Sequence, residues 1–193
     1  MPLETYPFSE KFGWVQDTYG LNWQLNLTGQ MQEVIPFFLF VGKQKGRAEE
    51  AMEFYTSIFK DSEIRQLERF GKVDGEVEGT VMHGVFTLSG ETFMAMDSAR
   101  AHNFAFNEAF SLFVNSETQE EVDSLWTTFS EDGSEGQCGW VKDKFGVWWQ
   151  IVPTVLGRLL HGEDRAKSNN VMKAMLQMKK LNIKQLQLAY DKA

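Results

Sequence analysis

The stretch GWVQDTYGLNWQLN, from Gly13 to Asn26, returns as GWVKDKFGVWWQIV, from Gly139 to Val152. Seven of the fourteen positions are identical, at an offset of 126 residues. A chain that holds one end-piece twice is assembled from repeated units, which limits the folds open to it. Each copy reads as a β-hairpin. FGWVQD and CGWVKD are the outgoing strands, and LNWQLNL and VWWQIVP the return strands. The turns DTYG and DKFG open on Asp and close on Gly, as a type I turn prefers. In the second return strand Trp148, Gln150 and Val152 share one face, and Trp149 and Ile151 the other.

Between the copies the pattern is regular. Val34–Gly42 is a continuous apolar run and reads as a buried strand. Arg47–Phe59 reads as a helix, with Ala48, Ala51, Met52, Tyr55, Ile58 and Phe59 at i, i+3, i+4, i+7 spacing. Strands are expected at Glu63–Phe70, Thr80–Leu88 and Thr92–Asp97, with KVDGEVEG and SGE as turns. The order then restarts. Ala109–Asn115 is a strand, and Thr118–Phe129 is a helix whose Val122, Leu125, Trp126 and Phe129 share one face. Thr118 and Glu121 form a capping box at its start. Residues 31–97 thus read βαβββ, and residues 109–153 read βα followed by at least two strands. In the tail, Asp164–Leu181 reads as one amphipathic helix and Asn182–Lys192 as a second, short one. The methionines Met172, Met175 and Met178 at helical spacing read as adaptable core or interface.

Composition narrows the function classes. Hydrophobic residues make up 42% and aromatic ones 13% of the 193 residues, ample for a packed core. The formal net charge of −8 repels phosphate backbones, so nucleic acid is not an expected partner. Cys138 is the single cysteine, which rules out an internal disulfide and fits a reducing compartment. Apolar runs such as VIPFFLFV fall well short of the roughly 20 residues of a membrane helix. The start MPLETYPFSEKF is acidic and has no apolar centre, unlike a signal peptide. The expectation is a cytoplasmic protein with no membrane partner.

Two βαβββ units in series resemble the vicinal oxygen chelate superfamily of glyoxalases and bleomycin-resistance proteins. The words GRAEEAMEFYTSIF, GTVMHGVFTLSGETFMAMDS, FAFNEAFSLFVNSETQEEVDSLW and CGWVKDKFGVWWQIVP are similar to its PhnB-like branch, which carries the label "3-demethylubiquinone methyltransferase-like". VMKAMLQMKKLNIKQLQLAY is similar to the helical segment that closes such domains. The resemblance implies an α+β fold. Paired βαβββ units form a glyoxalase-like cup, with a C-terminal helical tail and an extra N-terminal hairpin. Residues 31–193 then form one domain, with units 31–97 and 109–153 and a helical tail over 154–193. Residues 1–30 look like the closing hairpin of a preceding, truncated domain. A hairpin alone is marginal in water, so it is expected to pack on something.

Enzymes of the superfamily hold a divalent metal with His, Glu or Gln, one from the first and one from the last strand of each unit. Here those positions fall near Pro36, near Met94 or Met96, near Ala109 or Ser111, and on Gln150. The neighbours Phe38, Asp97, Glu108 and Phe113 supply no better set. Only Gln150 has a donor of the family's kind, so no metal and no other cofactor is expected. His83, in TVMHGVF, sits on a central strand, where a lone histidine is more often structural than catalytic. Asp97 and Glu108 bracket the linker between units. His83, Asp97 and Glu108 are the candidate catalytic residues, and Trp140, Trp148, Gln150 and His83 the candidate ligand-binding ones. Cys138 has no neighbouring histidine in the sequence to activate it. The chain has no GxGxxG or P-loop word, so the methyltransferase label finds no nucleotide-type site behind it. The reading is a metal-independent binder of an unknown small molecule, forming a homodimer that buries the hairpin on its own domain or on the partner. A divergent lyase, isomerase or dioxygenase and a dimeric scaffold are the alternatives.

Overall fold

The computed structural model describes residues 1–6, 9–27, 34–73 and 75–192. The chain divides into two compact units, Met1–Ile35 and Pro36–Ala193. The expected boundary between residues 30 and 31 lies outside the described residues.

The first unit is a three-stranded antiparallel sheet of β1 (Glu4–Tyr6), β2 (Ser9–Gln16) and β3 (Asn22–Asn26), in that order. The hairpin turn is set by Asp17. Its carboxylate accepts the amides of Tyr19 and Leu21, both at 2.9 Å, and Gly20 takes the positive φ (87°) that closes the turn.

The second unit contains two modules of like topology. The first runs β4 (Phe37–Phe40), a 3-10 turn (Gly42–Gln44), α1 (Ala48–Ile58), β5 (Glu63–Arg69), β6 (Val81–Leu88) and β7 (Glu91–Asp97). Its sheet order is β4-β7-β6-β5, with β4 parallel to β7 and the other pairs antiparallel. The second runs β8 (Ser111–Ser116), α2 (Gln119–Ser130), β9 (Ser134–Glu135), β10 (Trp140–Lys142) and β11 (Trp148–Pro153). Its order, β8-β11-β10-β9 with β8 parallel to β11, repeats the first module. Both modules are therefore βαβββ, and the fold is α+β with a helical tail.

Several bounds differ from the sequence reading for local reasons. The first strand starts at Phe37, since Pro36 has no N–H to give a ladder. The first strand of the second module starts at Ser111, because the Asn107 side chain accepts the Ala109 amide and turns the chain there. In the expected capping box, Thr118 Oγ1 accepts the Glu121 amide, but Glu121 reaches the amide of Glu117, one residue before the cap. The tail has three helices: α3 (Thr154–Leu160), α4 (Arg165–Met175) and α5 (Ile183–Asp191). The first was not read from the sequence, being short and interrupted by Gly157. The helix expected over Asp164–Leu181 ends at Met175. Beyond it, the carbonyls of Met178 and Lys179 accept the amides of Cys138 and Gly139, both at 2.7 Å, so the chain is drawn onto the repeated hairpin.

One core serves both modules. Phe38 and Phe40 of the first sheet, Met52 and Tyr55 of α1, Trp126 and Phe129 of α2, and Trp149 and Ile151 of β11 belong to a single buried cluster. Trp149 stacks on Phe129 at 4.4 Å and meets Tyr55 edge-on at 5.2 Å, so residues of both helices cover it. A Cβ at Gly84 would lie 2.7 Å from Met52 Sδ, which fixes the helix-facing side of β6. A second cluster of Leu156, Leu159, Val171, Leu181 and Leu186 holds the tail helices together.

Candidate functional site

Because the helix-facing sides of both sheets feed one core, each sheet has a second face turned away from it. The sequence sets what those faces carry. In β11, Trp149 and Ile151 are buried against the helices, while Trp148, Gln150 and Val152 alternate to the other side. Register places Trp140 beside Gln150, Lys142 beside Trp148, Ser111 beside Trp148 and Phe113 beside Gln150. The outer face of the second sheet is therefore an aromatic floor of Trp140, Trp148 and Phe113. The two indoles meet edge-on at 6.2 Å, and Lys142 Nζ lies 5.4 Å from the Trp148 ring centre. At the middle of the floor Gln150 Nε2 donates to Ser111 Oγ at 2.8 Å. That bond orients the amide of Gln150, and its carbonyl oxygen and the Ser111 hydroxyl are the polar handles of this face.

The outer face of the first sheet is built in the same way. Phe37 pairs with Met94, Leu39 with Met96, Val85 with Met94, and Glu68 with His83. None of Phe37, Leu39, Val85, Met94 and Met96 belongs to either core cluster, and all are half-buried. An antiparallel sheet with one wet face normally alternates apolar with polar. Strands apolar on both sides are those covered on both sides.

The candidates named from the sequence separate in space. Trp140, Trp148 and Gln150 come together on the second sheet. His83 lies on the outer face of the first sheet, beside Glu68. Asp97, a candidate acid or base, is 2% exposed and is committed elsewhere. It accepts the amides of Gly46 at 2.7 Å, Ala48 at 3.1 Å and Val81 at 3.0 Å. It thus supplies, from a neighbouring strand, the anion at the start of α1 that Arg47 at the cap position does not. Burial pushes its carboxyl up from the ordinary value, against the pull of those amides. Glu108 is exposed in the linker turn. Cys138 donates Sγ–H to the Met175 carbonyl at 3.6 Å and ties the hairpin to the tail.

The polar centre that the sequence does not reveal is Asp143, which its pattern marks only as a turn former. It is 2% exposed. Its Oδ1 accepts the amides of Phe145 at 2.9 Å and Val147 at 3.0 Å, and its Oδ2 accepts Tyr55 Oη at 2.7 Å and Trp149 Nε1 at 2.8 Å. Burial pushes the Asp143 carboxyl up from its ordinary value, while these four bonds hold it down. Burial, and then the charge of Asp143, push the Tyr55 phenol well up. The signal available in sequence was Asp six residues before a Trp, present in both copies of the repeat. All four acceptor sites of the carboxylate are occupied, so Asp143 joins the modules rather than meeting a ligand.

The metal positions of the superfamily do not fit a cation. Ser111 and Gln150 are together on one sheet, and Met94 and Met96 lie on the other. Thioether, hydroxyl and amide make no donor set for a hard or borderline divalent ion. Among the described residues no three His, Cys, Asp or Glu side chains converge. Two open hollows on the tail, of about 580 and 750 Å³, are lined by residues around Gln177 and Leu188 and around Thr118 and Ile183, and they take in neither Trp148 nor Gln150. Among the described residues no helix is long and apolar enough to cross a membrane.

Comparison with known proteins agrees with this architecture. The family model described as 3-demethylubiquinone-9 3-methyltransferase matches residues 32–152. A solved structure from Bacillus cereus, described as a putative 3-demethylubiquinone-9 3-methyltransferase and PhnB protein, is 41% identical. The match covers 64% of this chain and 100% of that one, with a TM-score of 0.59. A protein from Pseudomonas aeruginosa shares the fold at 20% identity and a TM-score of 0.53, over 64% of this chain and 98% of that one. A search of curated proteins gives no match. With two βαβββ modules of one topology and these matching residues, the chain belongs to the 3-demethylubiquinone-9 3-methyltransferase-like family, together with the PhnB protein of Bacillus cereus.

Proposed function

We propose that this protein binds a small molecule without a metal, on the outer face of its second sheet, and that a homodimer closes the site. The observation that carries the reading is the aromatic floor of Trp140, Trp148 and Phe113 around the Gln150–Ser111 pair. Such a surface suits a flat, largely apolar ligand with one polar group to satisfy Gln150 Oε1 or the Ser111 hydroxyl. A second copy enters because the first sheet's outer face is apolar where a wet face would be polar. Placing that face over the aromatic floor of a partner covers both and makes a cup from one sheet of each chain. The family's name describes methyl transfer, yet these modules lack the doubly wound parallel sheet with a Gly-rich first turn that a nucleotide-type cofactor uses. Turnover is the competing reading, favoured by one feature: His83 faces outward beside Glu68.

Native mass spectrometry of freshly purified protein tests the binding reading. We expect a retained organic molecule, lost or bound at least about tenfold more weakly in Trp148→Ala and Gln150→Ala. Equal retention by both variants removes the site from the second sheet. One divalent metal per chain by elemental analysis, lost on Gln150→Ala, replaces this reading with a metal-dependent one.

A further inference from the structure

The outer face of the second sheet carries a single charge. Its strands turn aromatic, aliphatic and neutral polar side chains to that side, and the exception is Lys142, paired with Trp148 across the hairpin. Glu135 holds the only carboxylate in the four strands. It sits on the helix-facing side, where it accepts Trp126 Nε1 at 3.2 Å and Lys179 Nζ at 3.1 Å. Lys144, two residues beyond Lys142, meets Glu50 at 3.1 Å. Lys142 forms no ion pair among the described residues of the second unit. Its side chain is half-buried, and its ammonium lies 5.4 Å from the Trp148 ring centre. An ammonium held against an indole is poorly hydrated, and the ring offsets only part of that cost. The turn does not need the charge. In the other copy of the repeat the same position is Gln16, and the Asp17 turn forms there all the same. The groups beside Lys142 also have hydrogens to give. Ser111 Oγ accepts from Gln150 Nε2, which leaves the Ser111 hydroxyl as a donor. Lys142 and Ser111 are the register partners of Trp148 on its two sides, so both border any ring laid on that indole.

We propose that the ligand of this face is a planar aromatic carboxylate, and that Lys142 is the residue that selects it. The proposal rests on the aromatic floor argued above and adds a charge preference to it. The ring of the ligand lies on Trp148, and the flexible lysine stem carries the ammonium from the indole to the acid group at the rim. One cation with no second beside it suits a monoanion better than a phosphate ester, whose two charges need more. The net charge of −8 repels an anion at long range, so the affinity for an acid has to come from this local contact. Specificity follows from the same residue. A neutral analogue leaves the ammonium unpaired, and a cationic one is repelled by it.

Calorimetric titration of the full chain with 2-naphthoate, and with 2-naphthamide as its neutral match, tests the proposal. We expect the acid to bind at least about tenfold more tightly than the amide. Lys142→Met keeps an apolar stem on Trp148 and removes the charge, so it should abolish the preference and leave the affinity for the amide unchanged. Lys142→Arg should retain the preference. Equal affinity for the two probes, with both weakened by Trp148→Ala, overturns the acid class and leaves the aromatic floor standing. A preference for the acid that survives Lys142→Met overturns the role of Lys142. Binding of neither probe, or binding that Trp148→Ala does not change, removes the floor and this proposal together.

Discussion

One carboxylate, used twice, shows how much a residue's surroundings decide. Asp143 and Asp17 hold identical turns, but only Asp143 is buried and also takes the Tyr55 hydroxyl. Asp143→Asn would keep an oxygen for the two amides and turn an NH₂ toward Trp149 Nε1, donor against donor, while the Tyr55 hydroxyl would lose its charged acceptor. We expect a loss of about 3 kcal/mol by denaturant titration, the scale of a buried charge-assisted bond broken with a partner left unpaired. Tyr55→Phe should cost about 2 kcal/mol for the same reason, and Asp17→Asn clearly less than Asp143→Asn, since water replaces what is lost there. Equal losses at Asp17 and Asp143 would show that the turn alone, not the joint between modules, sets the cost. The titrations run in opposite senses. The folded Asp143 value lies above its unfolded one. Its contribution is therefore full below the unfolded value and declines as pH rises through the folded one. Glu50 is the reverse case. Its bond to Arg47, helped by Lys144, lowers it to about 2, so its contribution is present above the ordinary value and is lost as pH falls through about 2. Its side chain is 47% exposed, so solvent screening keeps this below about 1 kcal/mol. Glu50→Gln should flatten the acid limb of stability only slightly.

At the scale of elements, the helix α2 was legible almost to the residue, and the reason is physical. Its cap, Thr118, is local, and its apolar stripe is a period-3.6 pattern that packing then uses. Val122, Trp126 and Phe129 are buried, and Leu125 packs partly against the same cluster. Trp126→Ala should cost about 3–5 kcal/mol in a denaturant titration, and Thr118→Ala about 1 kcal/mol. A loss under about 1 kcal/mol for Trp126→Ala would mean that the stripe does not set the packing. What was illegible depended on distant partners. The break after Met175 comes from carbonyls claimed by Cys138 and Gly139, some 40 residues earlier in the chain. The start of α1 rests on Asp97, brought alongside by β7, so a residue that looked available for chemistry is spent on the fold. On the candidate site the alternation of β11 was enough to group Trp148 with Gln150. Trp140 joined them through register, and Ser111 became the partner of Gln150 only once β8 was seen to run parallel to β11.

At the scale of the whole molecule, the two outer sheet faces raise the same question, and the proposed homodimer would answer it for both. The β4 and β7 sequences FFLF and ETFMAMD are apolar on both sides, a pattern that belongs to a strand covered on both sides. In one copy the core accounts for one side only. If the first sheet of one copy lies over the aromatic floor of the other, Met94 sits at the centre of the contact, between Phe37 and Val85. Light scattering should then give twice the 22.2 kDa mass of the chain. Met94→Lys would place a charge in a dry contact, where the burial of an unpaired ammonium costs several kcal/mol. The variant should therefore run as a monomer with unchanged far-UV circular dichroism, because Met94 belongs to neither core cluster. It should also lose the retained small molecule, even though Trp140, Trp148 and Gln150 are untouched, since one wall of the cup would be gone. A Met94→Lys protein that keeps the doubled mass would place the dimer contact elsewhere. One that turns monomeric yet keeps its ligand would show that the aromatic floor binds alone, and the cup closed by two copies would have to be given up.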